Sequence, residues 1–298
     1  MPGKRALITG GGGFVGRHLR NELEASGYTV FGIDRIADSY NDIIDLLDKS
    51  ALADYVRAKK PDVIFHLAAQ SSVALSWTNP ADTFNLNVCA TINLLDAVKS
   101  ERPHSSVVIV GTSSQYDAKL GKIIETDPQN PQDPYGISKK AQEEMARLYA
   151  KAYNLRVCMT RSFNHIGPGQ RRGFLVPDLC AGIKARKLKV GNLEAIRDFT
   201  DVRDVVRAYR LLAEQGKSGE AYNVGSGKGL KISEILQMLI SLAGCEIKIE
   251  QDEAKLRPLD NPIAVCDNTK LRETTGWTPE ISLEQSLRDS FSEISLDK

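Results

Sequence analysis

The chain has 298 residues, a net charge of +1 and 42% apolar residues, enough to bury one large core or two unequal ones. The balanced charge offers no basic excess for nucleic acid or an anionic membrane, and no apolar stretch approaches membrane-spanning length. Five scattered cysteines without metal-like spacing, and a strand that starts almost at the N-terminus, predict a cytoplasmic chain with reduced thiols, no signal peptide and no metal site. In chain order, the apolar run Ala6–Ile8 predicts a strand that turns through Gly10–Gly13 into a helix beginning Phe14-Val15-Gly16. Glycine suits that turn because a Cβ would keep a pyrophosphate off the backbone, and the helix N-terminus beyond offers N–H groups and positive potential. Two spacings fit, Gly11-x-Gly13-x-x-Gly16 and Gly10-x-x-Gly13-x-x-Gly16. A second strand over 28–33 ends at Asp34, an acceptor for an adenosine ribose, while Arg35 could hold a 2′-phosphate. NADH and NADPH both remain open on these residues.

A strand-like run over 43–46 and a helix around 51–59 come next. A strand then falls in 61–69, a long helix over 82–99, a strand over 106–110, a helix over 139–153 and a strand over 155–160. Such alternation predicts an α/β fold, a doubly wound parallel sheet of Rossmann type with its ligand crevice at the carboxyl ends of the strands. Pro168, Gly169, Gly173, Pro258, Pro262 and Pro279 interrupt the later chain. The expected division is a dinucleotide-binding domain of 1–163 plus about 193–225, and a smaller, largely C-terminal substrate-binding lobe of about 164–192 plus 226–298.

Chemistry centres on Tyr135 and Lys139, one helical turn apart on one face. An ammonium beside a phenol favours the phenolate, so Lys139 is expected to lower the Tyr135 pKa and make it a general acid/base while gripping a nicotinamide ribose. Hydroxyls for the reacting oxygen stand in Thr112-Ser113-Ser114, just after a strand. His66 and His165 read as packed, hydrogen-bonded side chains.

These motifs resemble the extended short-chain dehydrogenase/reductases that act on nucleotide sugars, and the resemblance covers nearly the whole chain. Thr9 to Gly16 resembles the cofactor loop, His66-Leu67-Ala68-Ala69 the fourth-strand motif, Asn85-Leu86-Asn87 and Asn93-Leu94-Leu95 the fourth-helix signature, and Pro134 to Lys139 the catalytic helix. The resemblance implies that Asp45 and Leu46 flank the adenine, and that Leu67, Ala68, Ala69 and Asn87 line the cofactor. The segments Arg161 to Gln170, Val190 to Phe199 and Leu256-Arg257-Pro258 are most similar to the GDP-4-keto-6-deoxy-D-mannose reductases, which form GDP-D-rhamnose.

Counting back four residues from Tyr116, the resemblance implies Thr112 as the catalytic hydroxyl, with Ser113 next in line. The dehydratases of the family carry a glutamate two residues later, and Ser114 stands there instead. Asp117 departs from the usual glycine. The expected reaction is therefore NAD(P)H-dependent reduction of a GDP-sugar C4 ketone. A talose-forming reductase, a 4-epimerase and a non-catalytic cofactor sensor are the alternatives. Arg197 and Arg257 are candidate diphosphate ligands, joined by Asn164, with Asn192 in the guanosine-like segment. Arg197 has a competing assignment as an ion pair with Asp198 or Asp201. A homodimer through helices around 85–99 and 139–153 is implied. The apolar stripe Met145, Leu148, Tyr149, Ala152 fits either such an interface or a core-facing helix.

Overall fold

A computed structural model describes residues 3–36, 38–252 and 261–294. In chain order the first half holds β1 (Arg5–Thr9), α1 (Phe14–Ala25), β2 (Thr29–Asp34), β3 (Asn41–Ile43), α2 (Lys49–Lys59), β4 (Val63–His66), α3 (Val73–Thr78), α4 (Pro80–Phe84), α5 (Ala90–Glu101) and β5 (Ser106–Thr112). There follow β6 (Lys122–Ile123), α6 (Pro134–Tyr153), β7 (Arg156–Ser162), β8 (Asn164–Ile166), α7 (Leu175–Lys184), β9 (Lys187–Val190), β10 (Ile196–Asp201) and α8 (Val202–Gln215). The described chain closes with β11 (Ala221–Val224), β12 (Gly229–Lys231), α9 (Ile232–Ala243), β13 (Lys248–Gln251), β14 (Ile263–Cys266), α10 (Thr269–Thr275) and α11 (Leu283–Glu293).

Seven parallel strands form the central sheet in the order β11-β7-β5-β4-β1-β2-β3. Strand order reverses between β1 and β4, so the crevice at their carboxyl ends is the natural ligand site of such a sheet. Side chains alternate between two dry layers. Ala6 and Ile8 pack with Leu19, Leu23, Tyr209 and Trp277 under α1, α8 and α10, whereas Leu7 packs with Leu52, Leu94 and Ala146 under α2, α5 and α6. A third cluster, with Leu179, Ile183, Phe199, Leu236 and Leu287, sits under α7, α9 and α11. There β12-β10-β14-β6 form a second sheet, with β8 alongside β10, and β13 pairs with β9.

Several boundaries differ from the sequence expectation for identifiable reasons. The 106–110 strand runs on to Thr112, paired with Ser162. The strand-like run 43–46 ends at Ile43, where pairing with β2 stops at Asp34. The 139–153 helix starts five residues earlier, because Pro134 occupies its first position and the Asp133 side chain accepts the Gly136 N–H at 2.8 Å. The 82–99 helix is three pieces, α4, a π-helical turn over Asn85–Cys89 and α5. Its stripe-bearing neighbour also divides its apolar residues. Met145 and Tyr149 of α6 pack against the core, while Leu148 and Ala152 face outward.

Candidate active site

At the end of β1, Gly10 adopts φ +75°, and the N–H groups of Gly10 and Gly11 both donate to Ile33 O. A Cβ on Gly16 would lie 2.3 Å from Gly10 O, so only glycine lets α1 seat against the turn. The helix begins at Phe14 after Gly13, which offers no side-chain cap, and its first turn holds no acid. An uncapped N-terminus at the strand switch point suits a dinucleotide diphosphate, and these residues fit that group. Asp34 closes the turn: Oδ2 accepts from Gly12 N at 2.9 Å and Oδ1 from Arg35 N at 2.7 Å. The Arg35 side chain is exposed beside it.

Two asparagines on the 85–101 segment hold neighbouring loops. Asn87 is fully buried in the π-helical turn, where Oδ1 accepts from Gln70 N at 2.8 Å and Nδ2 donates to Gln70 O and Ser138 Oγ. Its amide is thus committed to protein partners and fixes the loop carrying Leu67, Ala68 and Ala69. Asn93 Nδ2 donates to Leu46 O at 2.9 Å, fixing the loop of Asp45 and Leu46, while Asp45 Oδ1 accepts from Leu47 N. At Gly10 a Cβ would stand 2.8 Å from Ala68 N, so the glycine turn and the β4 loop lie in contact.

Tyr135, Thr112 and Lys139 come together beside this groove. Thr112 ends β5 and caps a short 3₁₀ turn, Ser113–Gln115. Its Oγ1 accepts from Ser114 N, and its N–H donates to Gln115 Oε1, each at 3.2 Å. The Tyr135 hydroxyl lies beside the Thr112 side chain, whose Oγ1 donates to Ser114 Oγ at 3.3 Å, while Ser113 is half-buried alongside. Lys139 Nζ donates to Val110 O and to Gln142 Oε1, both at 2.8 Å. Burial pushes the Tyr135 phenol up to about 12, partly offset by the neighbouring Thr112 hydroxyl, and burial pulls Lys139 down to about 7. The expectation that Lys139 lowers the tyrosine pKa is therefore corrected. Both groups lie dry, and desolvation outweighs their proximity.

The approach of the two segments depends on residues that motif reading passed over. A Cβ on Gly136 would lie 2.6 Å from Ser114 O and 2.9 Å from Pro131 Cβ, so glycine lets α6 abut the 3₁₀ turn. Gln115 Nε2 donates to Glu143 Oε2, and Glu143 is clamped by Arg161 at 2.6 and 2.9 Å, with both members of the pair 2% exposed. The spacing Lys139–Glu143, one turn on a face already singled out, was the available signal. Asp117 has no left-handed backbone, so the departure from glycine imposes no strain.

On the substrate side the candidates are placed less closely. Asn164 is exposed on β8 and pairs with Phe199, two residues from Arg197 on β10. Arg197 is half-buried, with Nη1 donating to Ile196 O. Asp198 instead accepts from Ser226, Gly227 and Cys266, and Asp201 is bound by Arg203 at 2.8 Å. Asn192 is exposed, and its Oδ1 accepts from Glu194 N. Arg257, with Leu256 and Pro258, lies outside the described residues. His165 stacks on Phe14 with centroids 6.1 Å apart, and His18 and Arg17 reach Pro168 O and Gly169 O, joining α1 to the 163–170 segment.

Residues 7–290 match the GDP-mannose 4,6 dehydratase family. The chain is 35% identical to the GDP-6-deoxy-D-mannose reductase of Pseudomonas aeruginosa, over 97% of each chain. Its structure resembles that of RMD from Pseudomonas aeruginosa complexed with NADPH, with a TM-score of 0.88, 33% identity and 97% and 98% of the two chains covered. It also resembles a UDP-glucose 4-epimerase from Thermotoga maritima with UDP-glucose, with a TM-score of 0.91, 27% identity and the same coverage. By its match over residues 7–290 and its near full-length relative, the chain, with its glycine turn, Tyr-x-x-x-Lys helix and seven-stranded parallel sheet, belongs to the GDP-mannose 4,6 dehydratase family of extended short-chain dehydrogenase/reductases.

Proposed function

We propose that the protein reduces the C4 ketone of GDP-4-keto-6-deoxy-D-mannose to GDP-D-rhamnose, using NADH or NADPH. The observation that carries this reading is the Thr112 hydroxyl beside the Tyr135 phenol, with Ser114, not a carboxylate, two residues along the turn. A serine hydroxyl has no acid–base range near neutrality, so the proton shuttle of a dehydratase has no counterpart at this position. A bound nicotinamide dinucleotide supplies the hydride. Tyr135 then gives its proton to the carbonyl oxygen, and Thr112 donates a hydrogen bond to that oxygen as charge develops. A phenol held up near 12 keeps its proton until that moment, which suits reduction better than a phenolate would. In its ammonium form Lys139, with two donors already fixed, keeps a third for the ribose and the Tyr135 side of the site.

Arg197 and Asn164 are proposed to bind the diphosphate, with Asn192 near the guanosine, where β10 meets a lobe built from about 164–192 and 226–298. The reaction is assigned to the cytoplasm, consistent with five free thiols. A homodimer through α5 and α6 is supported by the outward Ile137 and Leu148, which are 45% and 53% exposed. Similarity to the Thermotoga maritima epimerase gives the second reading, a 4-epimerase that holds NAD+ and returns the hydride. The deciding assay offers GDP-4-keto-6-deoxy-mannose with either reduced cofactor, follows absorbance and identifies the product by NMR. Stoichiometric oxidation with a rhamnose product supports the proposal, and a talose product corrects the face attacked. No oxidation, together with NAD+ retained through purification, would replace it by the epimerase. Arg197→Glu is expected to weaken GDP-sugar binding while leaving NAD(P)H affinity intact.

A further inference from the structure

Behind Lys139 runs a chain of buried hydrogen bonds that the proposed reaction does not use directly. Lys139 Nζ donates to Gln142 Oε1 at 2.8 Å, which turns the other end of that amide, Nε2, toward Thr91 Oγ1 at 2.7 Å. Thr91 Oγ1 also lies 2.8 Å from Asn87 O and 2.8 Å from His66 Nε2. On its far side His66 Nδ1 meets Thr9 Oγ1 at 2.7 Å, and Thr9 is the last residue of β1, next to the glycine turn. Thr9, His66, Thr91 and Gln142 are each fully buried.

Counting protons orients every link. A threonine hydroxyl has one hydrogen and two lone pairs. Asn87 O can only accept, so Thr91 donates there, and its lone pairs accept from Gln142 Nε2 and His66 Nε2. His66 must then be the neutral Nε2–H tautomer, with Nδ1 accepting from the Thr9 hydroxyl. Burial and the nearby Lys139 charge independently hold the ring neutral, pulling its pKa down to about 3. Thr91 is thus the hub on which an arm from the catalytic helix and an arm from the glycine-turn strand converge.

We propose that Thr91, Gln142 and His66 are positioning residues for Lys139, tying its amine to the strand that carries the cofactor turn. They touch neither substrate nor cofactor; they fix where the Nζ hydrogens point. The proposal rests on the reductase reading only for the choice of substrate in the kinetic arm of the test.

The test uses Thr91→Val, Gln142→Leu, the double variant and Thr91→Ser in the full-length protein. Each of the first two is expected to lower kcat about ten- to a hundredfold through misplacement of Lys139, with KM for the sugar little changed. The double variant should lose no more than the worse single, because both break one chain. Thr91→Ser, which restores the hydroxyl, should recover most of the loss. Additive losses, or a wild-type kcat in folded Gln142→Leu, overturn the proposal. A readout without substrate is nitrogen NMR of labelled His66. The wild type should show the Nε2–H tautomer, and Thr91→Val should shift that signal while Thr91→Ser returns it. A ring protonated on Nδ1 instead overturns the orientation even if Thr91→Val fails to fold. Should the wild type prove inactive on the GDP-sugar, the His66 signals still decide the chain, so the two failures are distinguishable.

Discussion

At the scale of single residues, the site is arranged so that a buried phenol keeps its proton and a buried lysine holds its own only weakly. Tyr135→Phe is expected to lower kcat by about two to four orders of magnitude, measured by cofactor oxidation. Thr112→Val should lower it by about two to three orders, as for removal of a donor to a developing oxyanion. Ser113→Ala should stay within a few-fold, since Thr112 is the hydroxyl that acts on the Tyr135 phenol. Lys139 carries a signature in stability as well. Its pKa falls from 10.5 to about 7 on folding, so between those values the unfolded chain binds more protons than the folded one. Stability from this residue is therefore fully present above pH 10.5 and lost as pH falls to about 7. Denaturant titrations of the wild type and Lys139→Met should show a gap that changes through that window and is flat below it. A gap independent of pH would mean that the lysine is not desolvated.

At the scale of elements, glycines and caps decide how closely the catalytic helix meets the Thr112 turn. Gly136→Ala puts a Cβ 2.6 Å from Ser114 O, a backbone atom that cannot swing aside. Such overpacking is expected to destabilise by about 1–3 kcal/mol. The more telling result is kinetic: kcat should fall with cofactor affinity nearly unchanged, because α6 is pushed away from Thr112 while the glycine turn at Gly10–Gly16 is untouched. This element also marks the limit of what sequence shows. The strand–glycine–helix unit and the pair Tyr135–Lys139 are legible because local spacing alone creates them. The Glu143–Arg161 clamp and the Asn93–Leu46 bond join residues 18 and 47 positions apart, a kind of contact that no period or motif encodes. Neither could the sequence foresee the Tyr135 pKa. Spacing reports that a lysine is near, whereas the shift is set by how dry the site is.

Over the whole molecule, the central sheet was legible from alternating apolar runs, while the smaller sheets, assembled from strands as short as Lys122–Ile123, were not. What joins the active-site turn to the sheet is the buried Glu143–Arg161 pair, which also reaches Tyr116 and, through it, Asn223 on edge strand β11. Arg161→Met leaves the buried Glu143 carboxylate with only the half-exposed Arg147, 2.7 Å from its Oε1, and is expected to destabilise by about 3 kcal/mol in denaturant unfolding, the lower end for a broken buried pair. Replacing Glu143 and Arg161 together by apolar residues should be milder than either single change, because no charge is then stranded.

The π-helical turn over Asn85–Cys89 has a further consequence for the angular phase of α5. A ring closed from residue i to i+5 holds one residue more than the ring of a regular helix, so the turn absorbs one residue without rotating the helix beyond it. Removing Val88 would let the segment close as ordinary α-helix and leave Leu94, Leu95 and Val98 aimed at the same core. It would withdraw the inward bulge that carries Asn87, and with it the grip on Gln70 and the carbonyl that accepts the Thr91 proton. The surplus residue is dispensable to the fold and indispensable to the site, so a shorter chain would fold in register around a loosened groove.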